Sequence, residues 1–281
     1  MRSMFADVVL ARRIEAAESG LTREVAEAVR AHGTREVLLR ALGGLGVGVW
    51  IGGSPFDKVI GWGFGDAEAE DAALRGFEDA VRSREGAVQL ELSTLADLSR
   101  ADALIARGYT LVGAENVLGM RLDRASLAPP AIEVRRARDD EGDAWIDTVV
   151  NGFEHPDGAH VAAHEAFPRD ALVQVFHDIA GAQGYRRYLA MREGAIAGGA
   201  SLRVHRDENG AIAQLAGAAT LPAHRRRGVQ SALLRARLRD AAEAGCDLAV
   251  VTTQPGSRSQ HNAQNAGFAL LYTRLVLVRG A

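Results

Sequence analysis

The apolar positions of this chain change period along its length. Through "YRRYLAMREGAIAGGASLRV", Tyr185 to Val204, two apolar runs meet at Glu193-Gly194, which predicts a hairpin. "AIAQLAGAAT", Ala211 to Thr220, follows the Asn209-Gly210 turn signal and predicts a third strand. Gly217 inside that run predicts a bulge, or the close approach of another backbone or a ligand. From Gly228 to Ala244 the period becomes helical. Leu234, Leu238, Ala241 and Ala242 form an apolar stripe, Arg235, Arg239 and Glu243 lie away from it, and Gly245 ends the helix. "DLAVVTT" then predicts a buried strand, "SRSQHNAQNA" a short helix and "FALLYTRLVLV" a last strand. Upstream, "AIEVRRA" predicts a strand. "DDEGDAWIDTVVNGF" and "PRDALVQVFHDIAG" predict helices, one acidic in its first turn and one opening on Pro168.

Pro129-Pro130 can continue neither a helix nor a central strand, so the chain is expected to divide there, into residues 1–126 and 132–281. The two parts end alike. Each reads strand, short helix, Gly-aromatic, strand. A shift of 159 places Gly108 on Gly267, Tyr109 on Phe268 and Val117 on Val276. That points to duplication. "GGLGVGVWIGGSPFDKVIGWGF" in the first part reads as a glycine-rich hairpin, and the N-terminus as an amphipathic helix.

Composition narrows the partners. A net charge of −3 without aromatic residues among the arginines argues against nucleic acid. Lys58 is the only lysine, so arginine runs carry less weight here than elsewhere. Cys246 is the only cysteine, which excludes an internal disulfide and fits a reducing compartment; it reads as buried packing. No apolar run approaches the ~20 residues that cross a bilayer. A cytoplasmic protein, monomer or homodimer, with no membrane partner, is expected.

The stretch "LPAHRRRGVQSALLRARL" places three arginines and a glycine between a strand end and a helix start. The first N–H groups of a helix lack intrahelical partners and its dipole favours an anion. Gly228 lets a ligand come close, and Arg226 and Arg227 add charge-assisted donors. The loop lacks the Gly-Lys-Ser/Thr ending of a P-loop and the three glycines of a dinucleotide site.

"ATLPAHRRRGVQSALL" resembles the acyl-CoA motif of the GNAT superfamily of N-acyltransferases, Gln/Arg-x-x-Gly-x-Gly/Ala, with Arg225, Gly228 and Gln230 on its positions. Gln230 departs from the usual small residue. "SQHNAQNAGF" resembles the family's second CoA-side motif, and the element order from Ile132 to Gly280 is similar to the family's. The resemblance implies an α+β fold of two GNAT-like domains. Each has a mostly antiparallel central sheet flanked by helices, splayed around the cofactor in the second. It implies acetyl-CoA as co-substrate. Backbone groups of Ala219 and Leu221 are expected along the pantetheine arm, the amides of Arg226, Arg227, Gly228, Val229, Gln230 and Ser231 at the pyrophosphate, and Asn262 at the cofactor or bracing the splayed strands.

By the same resemblance an amine, on a small molecule or a protein, attacks the thioester directly, a base takes its proton, and an acid, often a tyrosine, protonates the thiolate. The family places that tyrosine four residues before the glycine of Gly-Phe. Ala263 stands there, and Tyr272 is the nearest substitute. Candidate bases come from "FEHPDGAHVAAH": Glu154, His155, His160 and His164. His160 and His164 at i, i+4 raise the question of a metal, but without a His-Glu-x-x-His pattern none is expected. The first part, which has no such motif, is expected not to bind acyl-CoA and to shape the acceptor pocket or hold the domains together. A non-catalytic acyl-CoA sensor and a structural or regulatory pseudoenzyme that binds no CoA are the rival readings.

Overall fold

The computed structural model describes residues 4–33, 35–122, 130–156 and 167–280. The chain forms two compact units. The first opens with α1, Val8–His32, capped by Asp7, whose Oδ1 accepts from the Leu10 N–H at 2.9 Å, and closed by left-handed Gly33. β1 (Leu38–Ala41), β2 (Val47–Trp50) and β3 (Lys58–Ile60) follow as an antiparallel meander. The glycine-rich hairpin expected there is β2–β3. Next come α2 (Ala67–Arg82), β4 (Val88–Ser93), α3 (Arg100–Ala106) and β5 (Thr110–Arg121). Trp62, Leu74, Phe77, Leu90 and Leu104 fill this unit's core.

The second unit begins with β6, Val134–Arg136. A one-turn helix at Asp139–Glu141 leads into α4, Gly142–Glu154. Then come α5 (Arg169–Ile179), β7 (Tyr185–Arg192), β8 (Ala195–Asp207) and β9 (Gly210–Thr220). β7 turns into β8 through Glu193 and Gly194, both at positive φ, where the sequence signal lies. After β9 the chain makes α6 (Val229–Glu243), β10 (Leu248–Thr253) and α7 (Arg258–Asn265). The sheet runs β10-β9-β8-β7-β6; only β9–β10 is parallel. α4 covers one face, with the Trp145 indole donating to the Ala200 carbonyl at 3.1 Å and stacking edge-on against Phe176. On the other face Val229, Leu233, Leu234 and Leu238 of α6 join Ala263 and Phe268 in the main core cluster. Cys246 is buried, and burial pushes its thiol pKa up, as packing requires.

β11, Ala269–Arg279, pairs with β4, antiparallel from Arg274↔Ser93 to Arg279↔Val88, so the first unit's sheet runs β1-β2-β3-β4-β11-β5. The repeat seen in the sequence survives in hydrogen bonds. Gly108 N–H donates to Ile105 and Tyr109 N–H to Leu104; 159 residues on, Gly267 N–H donates to Gln264 and Phe268 N–H to Ala263. Both glycines are left-handed and both aromatics buried. Each motif therefore ends its helix in the same way and drops an aromatic into a core.

Candidate active site

β9 and β10 hold parallel register from Ile212↔Leu248 to Leu215↔Val251, where it ends. β9 runs on to Thr220 and β10 to Thr253, so the strands part and leave an opening between them. The cause is local. The register of β9 against β8 shifts between Gly199 and Ser201, the bulge expected at Gly217. Gly217 is left-handed at φ 53, and a Cβ on it would lie 3.1 Å from the Phe176 ring. Arg237 fixes the bulge from α6. Its Nη1 donates to the carbonyls of Ser201 at 2.9 Å and Ala216 at 3.3 Å. The guanidinium is buried, which pulls its pKa down to about 10.

Opposed residues of an antiparallel pair alternate between bonding each other and facing away. The Leu221 N–H donates to the Ala197 carbonyl at 3.0 Å, and the Leu221 carbonyl accepts from the His224 N–H at 2.9 Å. Leu221, and by alternation Ala219, therefore turn their main-chain groups toward β8. Ala218 and Thr220 turn theirs to the opening. The backbone expectation for Ala219 and Leu221 is thus corrected by one residue, a matter of parity along β9.

Past Thr220 the chain makes one turn at Pro222–His224 and reaches the arginines. Arg226 is left-handed at φ 59, a costly conformation for a residue that carries a Cβ, and Gly228 is left-handed at φ 81. Arg226, Arg227 and Gly228 are exposed. Among the described residues no side chain caps α6. The amides of Val229, Gln230 and Ser231 precede its first intrahelical bond, Ala232 N–H to Gly228 O at 2.9 Å. Alternating backbone and an uncapped helix start make a concavity of N–H donors suited to phosphate oxygens. Arg225 has a different task. Its Nε donates to Thr220 O at 3.3 Å, and its Nη2 to Gly152 O at 3.4 Å and to His155 O. It ties the end of β9 to the last carbonyls of α4.

The equivalent loop of the first unit, between β3 and α2, is filled from within. Glu70 accepts from the N–H groups of Gly63 at 3.1 Å and Gly65 at 2.9 Å, and from Arg100. Asp66 caps α2 through the Ala69 N–H at 3.0 Å. A carboxylate of the chain itself occupies the place where α6 is open.

The catalytic candidates separate. Tyr272 lies on the part of β11 that belongs to the first unit. It is buried, and its hydroxyl donates to Glu15 Oε1 at 2.7 Å. Burial and the Glu15 charge hold its proton on well above the usual tyrosine range. In this arrangement the proton expected for the leaving thiolate is shared with Glu15. Glu154 accepts from Arg169, which also reaches Asp147 at 2.9 Å. The His155 Nδ1 lies 2.9 Å from the Asn151 carbonyl. A carbonyl only accepts, so Nδ1 carries the hydrogen and Nε2 of the neutral ring is left as a base. Asn262 is half-buried on α7 and its side chain has no hydrogen-bond partner among the described residues. Ala263 points into the core. His160 and His164 lie outside the described residues. Among the described residues no His, Cys, Asp or Glu group is arranged to hold a metal, and no helix is long and apolar enough to cross a membrane. Sequence reasoning missed Ala218, Thr220, Arg237 and Glu70. Only Glu70 had a signal, a glycine-rich loop followed by an acid within the first turn of a helix.

A mostly antiparallel sheet with one splayed parallel pair, and an open helix start at the splay, defines a protein of the N-acyltransferase fold. Residues 153–268 match the model of the acetyltransferase (GNAT) family. No curated protein sequence matches. Solved structures do. A GCN5-related N-acetyltransferase from Kribbella flavida superposes with a TM-score of 0.66 at 18% identity, over 97% of this chain and 96% of that one. A tandem GNAT protein from the clavulanic acid biosynthesis pathway gives 0.60 at 16%, over 84% and 78%. A GCN5-related N-acetyltransferase from Sphaerobacter thermophilus gives 0.53 at 15%, over 87% and 75%. Identities this low establish the shared fold.

Proposed function

We propose that this chain moves an acetyl group from acetyl-CoA to a primary amine, on a small molecule or a protein, by direct transfer in its second unit. One observation carries the reading: α6 begins without a side-chain cap, under a left-handed glycine, where β9 and β10 part. The pyrophosphate sits on the amides from Arg226 to Ser231, with Arg226 and Arg227 adding charge. The pantetheine arm runs along Ala218 and Thr220 as a short added strand, its amides matched by main-chain groups. The thioester then lies near the bulge at Gly217. The amine nitrogen attacks the carbonyl carbon, the carbon–sulfur bond breaks, the amine gives up a proton and CoA leaves as the thiol. His155 is the base favoured by geometry, since the Asn151 carbonyl fixes its tautomer and Arg225 anchors its main chain.

The second reading, a binding protein that senses acyl-CoA without turnover, draws support from the occupied hydroxyl of Tyr272 and from Ala263. Calorimetric titration of acetyl-CoA into the wild type and Gly228→Glu, followed by thiol-release assays over an amine panel, separates the readings. Binding with thiol release supports transfer. Binding without release supports the sensor. No binding removes both.

A further inference from the structure

Arg237 is a buried cation without a counter-charge. Its Nε donates to the Leu233 carbonyl of its own helix at 3.2 Å, and its Nη1 to the Ser201 and Ala216 carbonyls at the bulge. These partners are all neutral. Among the described residues no carboxylate pairs with it; the titratable groups that bear on it are Tyr185 and Tyr188 of β7. Burial holds the protons on both hydroxyls. Asp240, one turn further along α6, is taken by Arg136, Arg186 and the Tyr188 hydroxyl.

The bulge does not need this charge. The Ser201 hydroxyl already donates to the same Ala216 carbonyl at 3.0 Å. A buried ion held only by dipoles is unfavourable, and a well-packed apolar side chain in place of buried charge is often as stable or more so. The charge has a use when negative charge develops beside it. Acyl transfer develops such charge, because the electron pair of the broken carbon–sulfur bond stays on sulfur. Ala263 stands where the resemblance places an acid, and the Tyr272 hydroxyl donates to Glu15.

We infer that Arg237 is a positioning residue for the transfer: through the Ala216 carbonyl it sets its charge against the bulge at Gly217, so that sulfur leaves as a thiolate and needs no acid. The inference rests on the acyl-CoA reading above. The guanidinium does not touch the thioester. It polarises the Ala216–Gly217 peptide, which strengthens the N–H of that peptide as a donor, and its field acts through a low-dielectric interior. The amine nitrogen bonds to the carbonyl carbon, the carbon–sulfur bond breaks with its pair on sulfur, and the amine proton goes to His155. Water protonates the thiolate as CoA departs.

The test reads the thiol of bound CoA. It is titrated by its ultraviolet thiolate absorbance against the complex with desulfo-CoA, which cancels the tyrosines of the protein. Arg237→Met removes the charge and keeps the length of the side chain; Arg237→Lys keeps the charge. In the wild type the bound thiol is expected to titrate about one unit below that of free CoA, a tenfold gain in thiolate. Arg237→Lys keeps most of that shift. Arg237→Met loses it, while melting at or above the wild-type temperature and binding desulfo-CoA as the wild type does. A wild-type thiol that titrates as in free CoA overturns the inference without any variant and leaves the acyl-CoA reading intact. An unchanged shift in Arg237→Met overturns it too. So does a lower melting temperature with lost desulfo-CoA affinity, since the arginine would then be structural. A wild type that binds neither CoA nor desulfo-CoA overturns both readings.

Discussion

The guanidinium of Arg225 donates to the main-chain carbonyl of His155, the residue that ends α4. The signature arginine is thus spent on the protein rather than on phosphate. It satisfies carbonyls that a helix end leaves open, and it holds the candidate base beside the end of β9. Arg225→Ala is expected to lower stability by about 1–3 kcal/mol and to reduce turnover more than CoA affinity. Arg225→Lys is not expected to rescue it, because a single ammonium does not span three carbonyls. Melting curves and separate kcat and KM values check this. A pure loss of CoA affinity would show the arginine on the phosphate after all.

Gly228→Glu is expected to abolish acetyl-CoA binding while the protein stays folded. The φ of 81 makes any side chain unfavourable by about 1 kcal/mol, yet only Ile132, at 3.8 Å, lies near the added Cβ. The new carboxylate competes with pyrophosphate for the same amides. Calorimetry against a circular dichroism control decides it.

Wild-type protein is expected to bind one acetyl-CoA per chain, because Glu70 already fills the loop of the first unit. Glu70→Ala should lower stability by about 3–5 kcal/mol, since Arg100 and two main-chain amides lose their partner together. A fitted stoichiometry of two in the wild type would refute the first claim. An unchanged denaturation midpoint in the variant would refute the second.

Tyr272→Phe is expected to leave thiol release and its alkaline limb unchanged and to lower stability by about 1–3 kcal/mol. Glu15 would keep its bond from Arg274 Nε at 2.8 Å and lose the hydroxyl. Disappearance of the alkaline limb would restore the tyrosine to the chemistry.

Burial, then the neighbouring charge of Glu91, raises the pKa of Glu115 from 4.5 to about 7. A carboxyl whose folded pKa is raised binds its proton more tightly in the folded state. Its contribution to stability is most favourable at low pH and is lost as pH climbs from about 4.5 to about 7. Glu115→Gln should flatten that part of the stability–pH curve. Parallel curves for the two proteins would contradict the assignment.

Local pattern made much of this legible. The hairpins, α6, α7 and the bulge follow from turn residues, period and one glycine in a strand. The arginine–glycine loop before α6 is legible because its parts are adjacent in sequence. Pairings across long separations are not. Tyr272 meets Glu15 across 257 residues, and no periodicity in either segment reports it. Ala218 and Thr220 were missed for a smaller reason. The composition of β9 shows a strand but not which edge of it each residue turns to β8. That parity is fixed by Leu221 and Ala197, a contact between strands.

The pairing of β11 with β4 bears on how the chain is made. Synthesis delivers β4 nearly two hundred residues before Arg279, the partner of Val88. Until then β4 waits on the growing chain with one flank of amides and carbonyls bare, a ready template for a strand from another molecule. Slow elongation, or a stop shortly before β11, is expected to yield aggregates rather than a folded first unit. A chain cut between its halves should fare no better, unless the β11 segment is supplied to the first.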